Sequence, residues 1–191
     1  MNSVGAGLQV LDQNCLSTAT DVEDIPRESA LVKAAQRGEP WAHEQLYHLY
    51  APMVHGLLLA RVPHGDVDDL LQEVFLQAFN KLPTLRAAGA FGGWLAMIAR
   101  NRATDFHRRK RQTEELSDGL AQRKSMSAEA SEALDAIRAL PECYRETLML
   151  RLVEGLSGPE IATRTGLTPA SVRVNLHRGM KLLREKLGLG A

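Results

Sequence analysis

Apolar residues recur at three- and four-residue spacing along nearly the whole chain from Ser29, and no stretch alternates with the two-residue period of a strand. The clearest case is DVDDLLQEVFLQAFNKL (66–82), apolar at 67, 70, 71, 74, 75, 78, 79 and 82. A stripe of this kind buries one side of a helix and wets the other, so the chain must stack helices on helices. Neither a hairpin, a βαβ unit nor an internal repeat is legible. The predicted fold class is all-α, two small helical domains joined by a flexible linker.

Local breakers divide the pattern. The region from Ser29 through Leu58 is helical, PHGD (63–66) is a turn, and Asp66 is the expected N-cap of the 66–82 helix. LPTLRAAGAFGG (82–93) reads as a loop with two glycines near its end, and WLAMIARNRATDFHRRKRQ (94–112) as a long helix. Residues 113–130 have few large apolar side chains and no steady period, which predicts a tether averaging roughly 25 Å end to end. Beyond it lies a short helix over 131–139. A second begins at Pro141 and closes at Gly155. Ser157 and Glu160 form a capping box for the third, Gly166 ends that helix, and Thr168-Pro169 opens the last. The expected organisation is a flexible tail (1–28), a first domain (29–112), a linker (113–130) and a second domain (131–188).

Composition narrows the class. In 191 residues, 45% hydrophobic content excludes wholesale disorder. The longest apolar runs, such as GLLLA (56–60), are far too short to span a bilayer. No basic residue precedes Arg27, so the start lacks the charged region of a signal peptide. Two cysteines, Cys15 and Cys143, build no disulfide framework; Cys143 is expected to be a partly buried thiol, and the expected location is the cytoplasm.

Charge is balanced overall, with 23 basic and 23 acidic side chains, but unevenly placed. Residues 1–99 carry 6 basic and 11 acidic groups, whereas RNRATDFHRRKR (100–111) carries six basic and one acidic. Residues 157–191 hold six basic and two acidic. Two separate basic zones at the ends of helical patterns point to two contacts with nucleic acid.

The second zone has a specific spacing. In LSGPEIATRTGLTPASVRVNLHRGMKLLREKL (156–187), Ile161 and Ala162 face inward on a short helix, Thr165-Gly166-Leu167 turns, and a second helix starts at Pro169. Val172, Leu176, Met180, Leu183 and Leu187 share the core face of that helix. Outside are Ser171, Val174, Asn175 and Arg178, and beside them Ala170, Arg173, His177 and Lys181. Arginine suits guanine edges or phosphate, asparagine adenine, and valine a thymine methyl, so this is a helix-turn-helix suited to a major groove. Gly179 is expected to cost about 1 kcal/mol relative to Ala.

Three features of the first domain go further. Asp66, Asp69, Gln72 and Glu73 line the polar side of the 66–82 helix, where a basic partner would relieve their repulsion. Phe91 and Trp94 stand at the start of the next helix, as core or as an apolar wedge. The same helix ends in HRRKR. Together they suit strand separation and capture of unstacked bases.

Here the chain resembles the extracytoplasmic-function (ECF) sigma factors of the sigma-70 family, over about residues 29–187. DVDDLLQEVFLQAF is similar to that family's polymerase-binding helix. FGGWLAMIARNRATDFHRRKR is similar to its -10 element melting segment, and residues 140–187 to its -35-binding domain. The resemblance implies that Asp66, Asp69, Leu70, Gln72 and Glu73 meet core RNA polymerase, and that the 83–92 loop holds a flipped base. For -10 DNA it implies Asn80, Arg86, Trp94, Arg100, Asn101, Arg102, Asp105, Arg108, Arg109 and Arg111, of which the arginines at 100, 102, 108, 109 and 111 are free to touch phosphate. For the -35 groove it implies Ser171, Arg173, Val174, Asn175, His177, Arg178 and Lys181. Val174-Asn175 stand where the family more often has Ser-Arg. The implied partners are core polymerase, promoter DNA and an anti-sigma factor; no cofactor is implied.

Enzymatic motifs are missing: there is no GxxxxGK loop and no GxSxG, and HEQLYH (43–48) spaces its histidines wrongly for a zinc-protease helix. The competing reading is a helix-turn-helix regulator that binds duplex DNA without polymerase. It accounts for the second domain but for neither the acidic helix nor the aromatic-then-basic one.

Overall fold

The computed structural model describes residues 24–114 and 128–188, so most of the expected tail, most of the linker, and Cys15 lie outside the described residues. Eight helices are present in them: α1 (Asp24–Gln36), α2 (Pro40–Leu59), α3 (Val67–Lys81), α4 (Phe91–Glu114), α5 (Ala128–Arg138), α6 (Glu142–Leu152), α7 (Gly158–Thr165) and α8 (Pro169–Lys186). Among the described residues there is no strand, and the fold is all-α, in two helical units.

The first unit packs α1 to α4 around Leu46, Tyr50, Met53, Val54, Leu57, Phe75 and Phe91. The apolar period through residues 29–58 is divided where Gly38, at φ 83°, takes a left-handed conformation and Pro40 starts α2. Trp41 is consequently 55% exposed, its Nε1 donating to Glu39 Oε2 at 2.7 Å. On α3 the inward stripe is Val67, Leu70, Val74, Phe75 and Ala78. Asp66 does not cap α3 with its side chain: it ends a short 3-10 turn with helical backbone angles (φ -100°, ψ -4°).

The 82–93 segment is more ordered than a loop. Two 3-10 turns, 82–84 and 88–90, lead directly into α4, which takes up Phe91, Gly92 and Gly93. Gln36 Nε2 holds the segment by donating to the carbonyls of Leu82 (3.1 Å) and Leu85 (2.8 Å).

In the second unit the local signals behave as chemistry dictates. Ser157 Oγ accepts from Glu160 N (3.3 Å) and Glu160 Oε2 from Ser157 N (2.9 Å), closing the capping box. Gly166 ends α7 at φ 74°, and Thr168 caps α8 by accepting from Ser171 N at 3.1 Å. Pro141 serves as the N-cap of α6, ahead of its first helical residue. Gly179 has a packing reason: a Cβ there would sit 3.0 Å from Leu148 Cδ1 and 3.1 Å from Tyr144 Cβ, so glycine lets α8 lie close on α6.

The two units are packed together, α6 against α2 and α7 against both α2 and α4. Glu146, Thr147, Leu148, Met149 and Leu150 are all buried, because α6 is covered on one side by α8 and on the other by α2.

Candidate polymerase and nucleic-acid interfaces

The outer face of α3 carries Asp68, Asp69, Gln72 and Leu76, all exposed, with Leu76 at 66%. Asp68 and Asp69 lie in the first turn, where negative charge complements the helix dipole. Asp66 is half-buried. Leu70 turns inward and is 3% exposed, so it holds α3 to the core and offers no surface to a partner. Glu73 faces α4, its Oε2 3.6 Å from both Arg102 Nη1 and Arg109 Nη2. Arg102 Nε also donates to Gln77 Oε1 at 2.7 Å.

Along α4, Phe91, Leu95, Ala96, Ile98, Ala99 and Ala103 are buried. Trp94 is half-buried, its ring centroid 5.9 Å from that of Phe91, and packs on the core. The expectation that five arginines of this helix stand free for phosphate needs correction. Arg100 is engaged by Glu146 of the second unit, Arg102 and Arg109 by Glu73 of α3, and Arg108 by Asp105 at 3.0 Å. Asn101, Arg108, Arg109 and Arg111 remain exposed, as do Asn80 and Arg86 at the edge of the preceding turns. Lys110 lies over the Phe106 ring at 5.9 Å, a cation–π contact that holds part of the basic end in place.

On the second unit, Ser171, Arg173, Val174, His177, Arg178 and Lys181 project from α8 into solvent, while Asn175 is half-buried. Val172 and Leu183 are buried beneath them, and Leu176, Met180 and Leu187 pack partly buried against the same core. Ser171 Oγ lies 2.8 Å from Thr168 Oγ1, so this hydroxyl belongs to the helix cap as well as to the outer face.

Sequence pattern could not locate Glu146. It is 6% exposed, and receives Arg61 through Nε (2.9 Å) and Arg100 through Nε and Nη2 (3.1 and 2.9 Å). Burial alone would raise its pKa; hydrogen bonds and charge from Arg100 and Arg61 outweigh burial and hold the carboxyl below its ordinary value. The only signal for it was an acid two residues before the apolar run Leu148-Met149-Leu150. Cys143, expected to be partly buried, is exposed. Among the described residues no cluster of His, Cys, Asp and Glu is arranged to hold a metal, and no helix is long and apolar enough to cross a membrane.

Residues 46–113 match Sigma-70 region 2, and residues 130–183 match Sigma-70, region 4. The RNA polymerase sigma factor CarQ of Myxococcus xanthus is 35% identical over 160 residues, spanning 77% of this chain and 90% of CarQ. The ECF RNA polymerase sigma-E factor of Escherichia coli K12 is 31% identical over 179 residues, 84% of this chain and 94% of the relative. Among solved structures, CnrH in complex with the cytosolic domain of CnrY superposes with a TM-score of 0.62 at 24% identity, covering 86% of this chain and 99% of CnrH. The sigma factor RpoE of Bartonella quintana, in complex with the anti-sigma factor NepR, gives 0.53 at 20% identity, covering 78% and 98%. These last two establish a shared fold. Two region matches in order, on an acidic helix, an aromatic-then-basic helix and a helix-turn-helix, lead to one assignment: the chain belongs to the ECF sigma factors of the sigma-70 family, proteins of promoter-directed transcription initiation.

Proposed function

We propose that the two units divide promoter recognition between them, with α3 as the polymerase contact. The observation that carries this reading is the adjacency of opposite charges on neighbouring helices: acids at 68 and 69 face outward from α3, while Arg108 and Arg111, with the neutral Asn101, face outward from α4. Core polymerase bound on the acidic face would leave the basic end of α4 open to DNA. Asp69, Gln72 and the apolar Leu76 are the centre of that contact; Glu73 contributes by positioning Arg102 and Arg109.

The helix-turn-helix reads upstream duplex through Arg173, Val174, His177 and Arg178, with Lys181 on phosphate. Asn80, Arg86, Asn101, Arg108, Arg109 and Arg111 track the melted downstream strand, and Trp94 with Phe91 supplies the stiff apolar base from which α4 enters it. Unstacking costs a few kcal/mol, offset by capture of the extruded bases. No bond is made or broken by this chain: phosphodiester chemistry belongs to the polymerase. Such a protein acts in the cytoplasm, where the template is. An anti-sigma protein that covers the α3 face is the expected inhibitor; the similar RpoE of Bartonella quintana is seen in complex with the anti-sigma factor NepR.

The test is capture of a single-stranded downstream-element oligonucleotide by the reconstituted complex with core polymerase. Replacing Arg108 and Arg111 with Ala should weaken capture and flatten its salt dependence, with duplex upstream binding unchanged. Equal capture by the variant would remove α4 from the DNA path.

A further inference from the structure

Trp41 stands in the open. Among the described Phe, Tyr and Trp residues it alone is exposed, whereas Tyr50, Phe75 and Phe91 are buried and Trp94 packs on the core. An indole left in water forgoes the hydrophobic free energy that burial would bring. It is nonetheless held in place. Its Nε1 donates to Glu39 Oε2 at 2.7 Å, and the other oxygen of that carboxylate accepts from Arg37 Nε (3.0 Å) and Nη2 (2.7 Å). One acid thus aligns an indole and a guanidinium, and the arginine answers its charge. The polar atom of the ring is already bonded, so what Trp41 offers a partner is its aromatic face.

The surroundings of this clamp indicate the partner. Gln36, next to Arg37, donates to the carbonyls of Leu82 and Leu85, and α1 packs on both 3-10 turns of the segment that leads into α4. Lys81 and Arg86 are exposed on that segment, Lys33 on α1, and Arg37 just past it. The acids beside Trp41 are Glu39, paired as above, and Glu44, whose Oε1 lies 3.9 Å from His48 Nε2. Its exposed neighbours along the chain, Arg37, Glu44 and Gln45, are polar, unlike the apolar centre of a protein interface. An open aromatic face beside these cations meets the two needs of an unpaired strand, base stacking and phosphate neutralisation.

We propose that Trp41 is a stacking platform for an unpaired base of the melted strand, with Arg37 and Lys33 on the adjoining phosphates. The inference rests on the division of labour proposed above, which brings that strand to α4, and it extends the strand's path by one site. That path runs from the basic end of α4 to its start and the 82–90 turns, and the clamp at Gln36 and Arg37 is the next surface along it. The strand can reach this surface only on the downstream side of the element, because the upstream side is duplex. Every base has an aromatic face, so the site holds the strand without reading its sequence.

The test uses the full chain reconstituted with core polymerase and two single-stranded oligonucleotides. One ends at the downstream element; the other carries further unpaired nucleotides on its downstream side. Trp41→Ala should hold the longer strand about tenfold more weakly than the wild type does, with the same grip on the shorter one. Trp41→Phe keeps a ring and should restore most of the difference. A fluorescent adenine analogue moved through the added nucleotides should show one position that is quenched by the wild type and bright with Trp41→Ala. Because residue 41 is exposed, both variants should match the wild type in circular dichroism and in co-elution with core. Equal affinity of wild type and Trp41→Ala for the longer strand would overturn the proposal, as would an equal loss on both strands. Capture of both strands without a Trp41 difference removes this site alone. Capture of neither by the wild type removes the assignment of α4 to the melted strand, and this site with it.

Discussion

Arg100 and Glu146 meet across the two halves of the chain, Nη2 to Oε2 at 2.9 Å, with the carboxylate 6% exposed and shared with Arg61. Arg100 sits on the helix whose basic end is proposed to meet DNA, and Glu146 on the helix that supports the helix-turn-helix. One buried ion pair thus links the two units proposed to share promoter recognition. Its worth as a stabiliser is modest, since desolvation offsets much of the attraction, but removing one partner leaves an uncompensated buried charge.

Charge reversal on the acidic face tests the polymerase contact. Asp69→Lys leaves the core untouched, because residue 69 is exposed and Leu70 beside it supplies the packing. Affinity for core polymerase should fall at least about tenfold, or about 1.4 kcal/mol, with an unchanged circular dichroism spectrum. Co-elution and titration with labelled core measure it. Glu73→Lys should act chiefly on capture of the downstream strand, since it releases Arg102 and Arg109.

On α8, Arg173→Ala should cost roughly 1–3 kcal/mol and relax specificity at one upstream base pair. Binding to a panel of single-base variants of the upstream element checks this. A uniform loss across the panel would assign Arg173 to phosphate instead.

Gly179 sets two effects against each other. Alanine would gain about 1 kcal/mol of helix propensity, but its Cβ enters a buried contact with Leu148 and Tyr144 where overpacking costs about 1–3 kcal/mol. The overpacking should win, so Gly179→Ala lowers stability by about 1 kcal/mol in chemical denaturation. In an ordinary exposed helix the same change would stabilise.

The packing of the second unit on the first should depend on pH. The hydrogen bond that His55 donates to Glu154 raises the His55 pKa above its ordinary 6.5, and burial only partly opposes this; Asp68, on α3, adds to the rise. A raised histidine contributes fully below about pH 6.5 and loses its contribution as pH climbs through the raised value. Glu146 acts in the opposite sense: its lowered pKa keeps Arg61 and Arg100 paired at neutral pH, and that pairing is lost only in acid. The free chain should therefore be most compact in mildly acidic solution and expand toward alkaline pH. Scattering across that range measures it, and His55→Gln should flatten the alkaline limb.

What could be read from the sequence was local. The stripe on α3, the Ser157–Glu160 box, the left-handed Gly166 and the Thr168 cap each depend on neighbours within four residues, and the structure has them all. The losses were non-local. Gly92 and Gly93 resemble loop punctuation, yet they begin α4 and lie against Arg164 and Gly166, far along the chain. Glu146 resembles one more surface charge of a mixed helix until Arg61, just past α2, and Arg100 of α4 come to it. Arg102 and Arg109 carry charge suited to phosphate, but which acid they meet depends on the crossing of α3 and α4. Asp66 missed its cap because a 3-10 turn set its backbone angles.

Run-off transcription with purified core polymerase, with and without this chain, on a pool of genomic promoter fragments tests the central claim most directly. The account predicts chain-dependent, fragment-selective transcripts whose upstream and downstream elements are separated by a fixed spacing, and their loss with Asp69→Lys. Absence of transcripts, together with failure to co-elute with core polymerase while duplex binding persists, would contradict it and leave a helix-turn-helix regulator that works without polymerase.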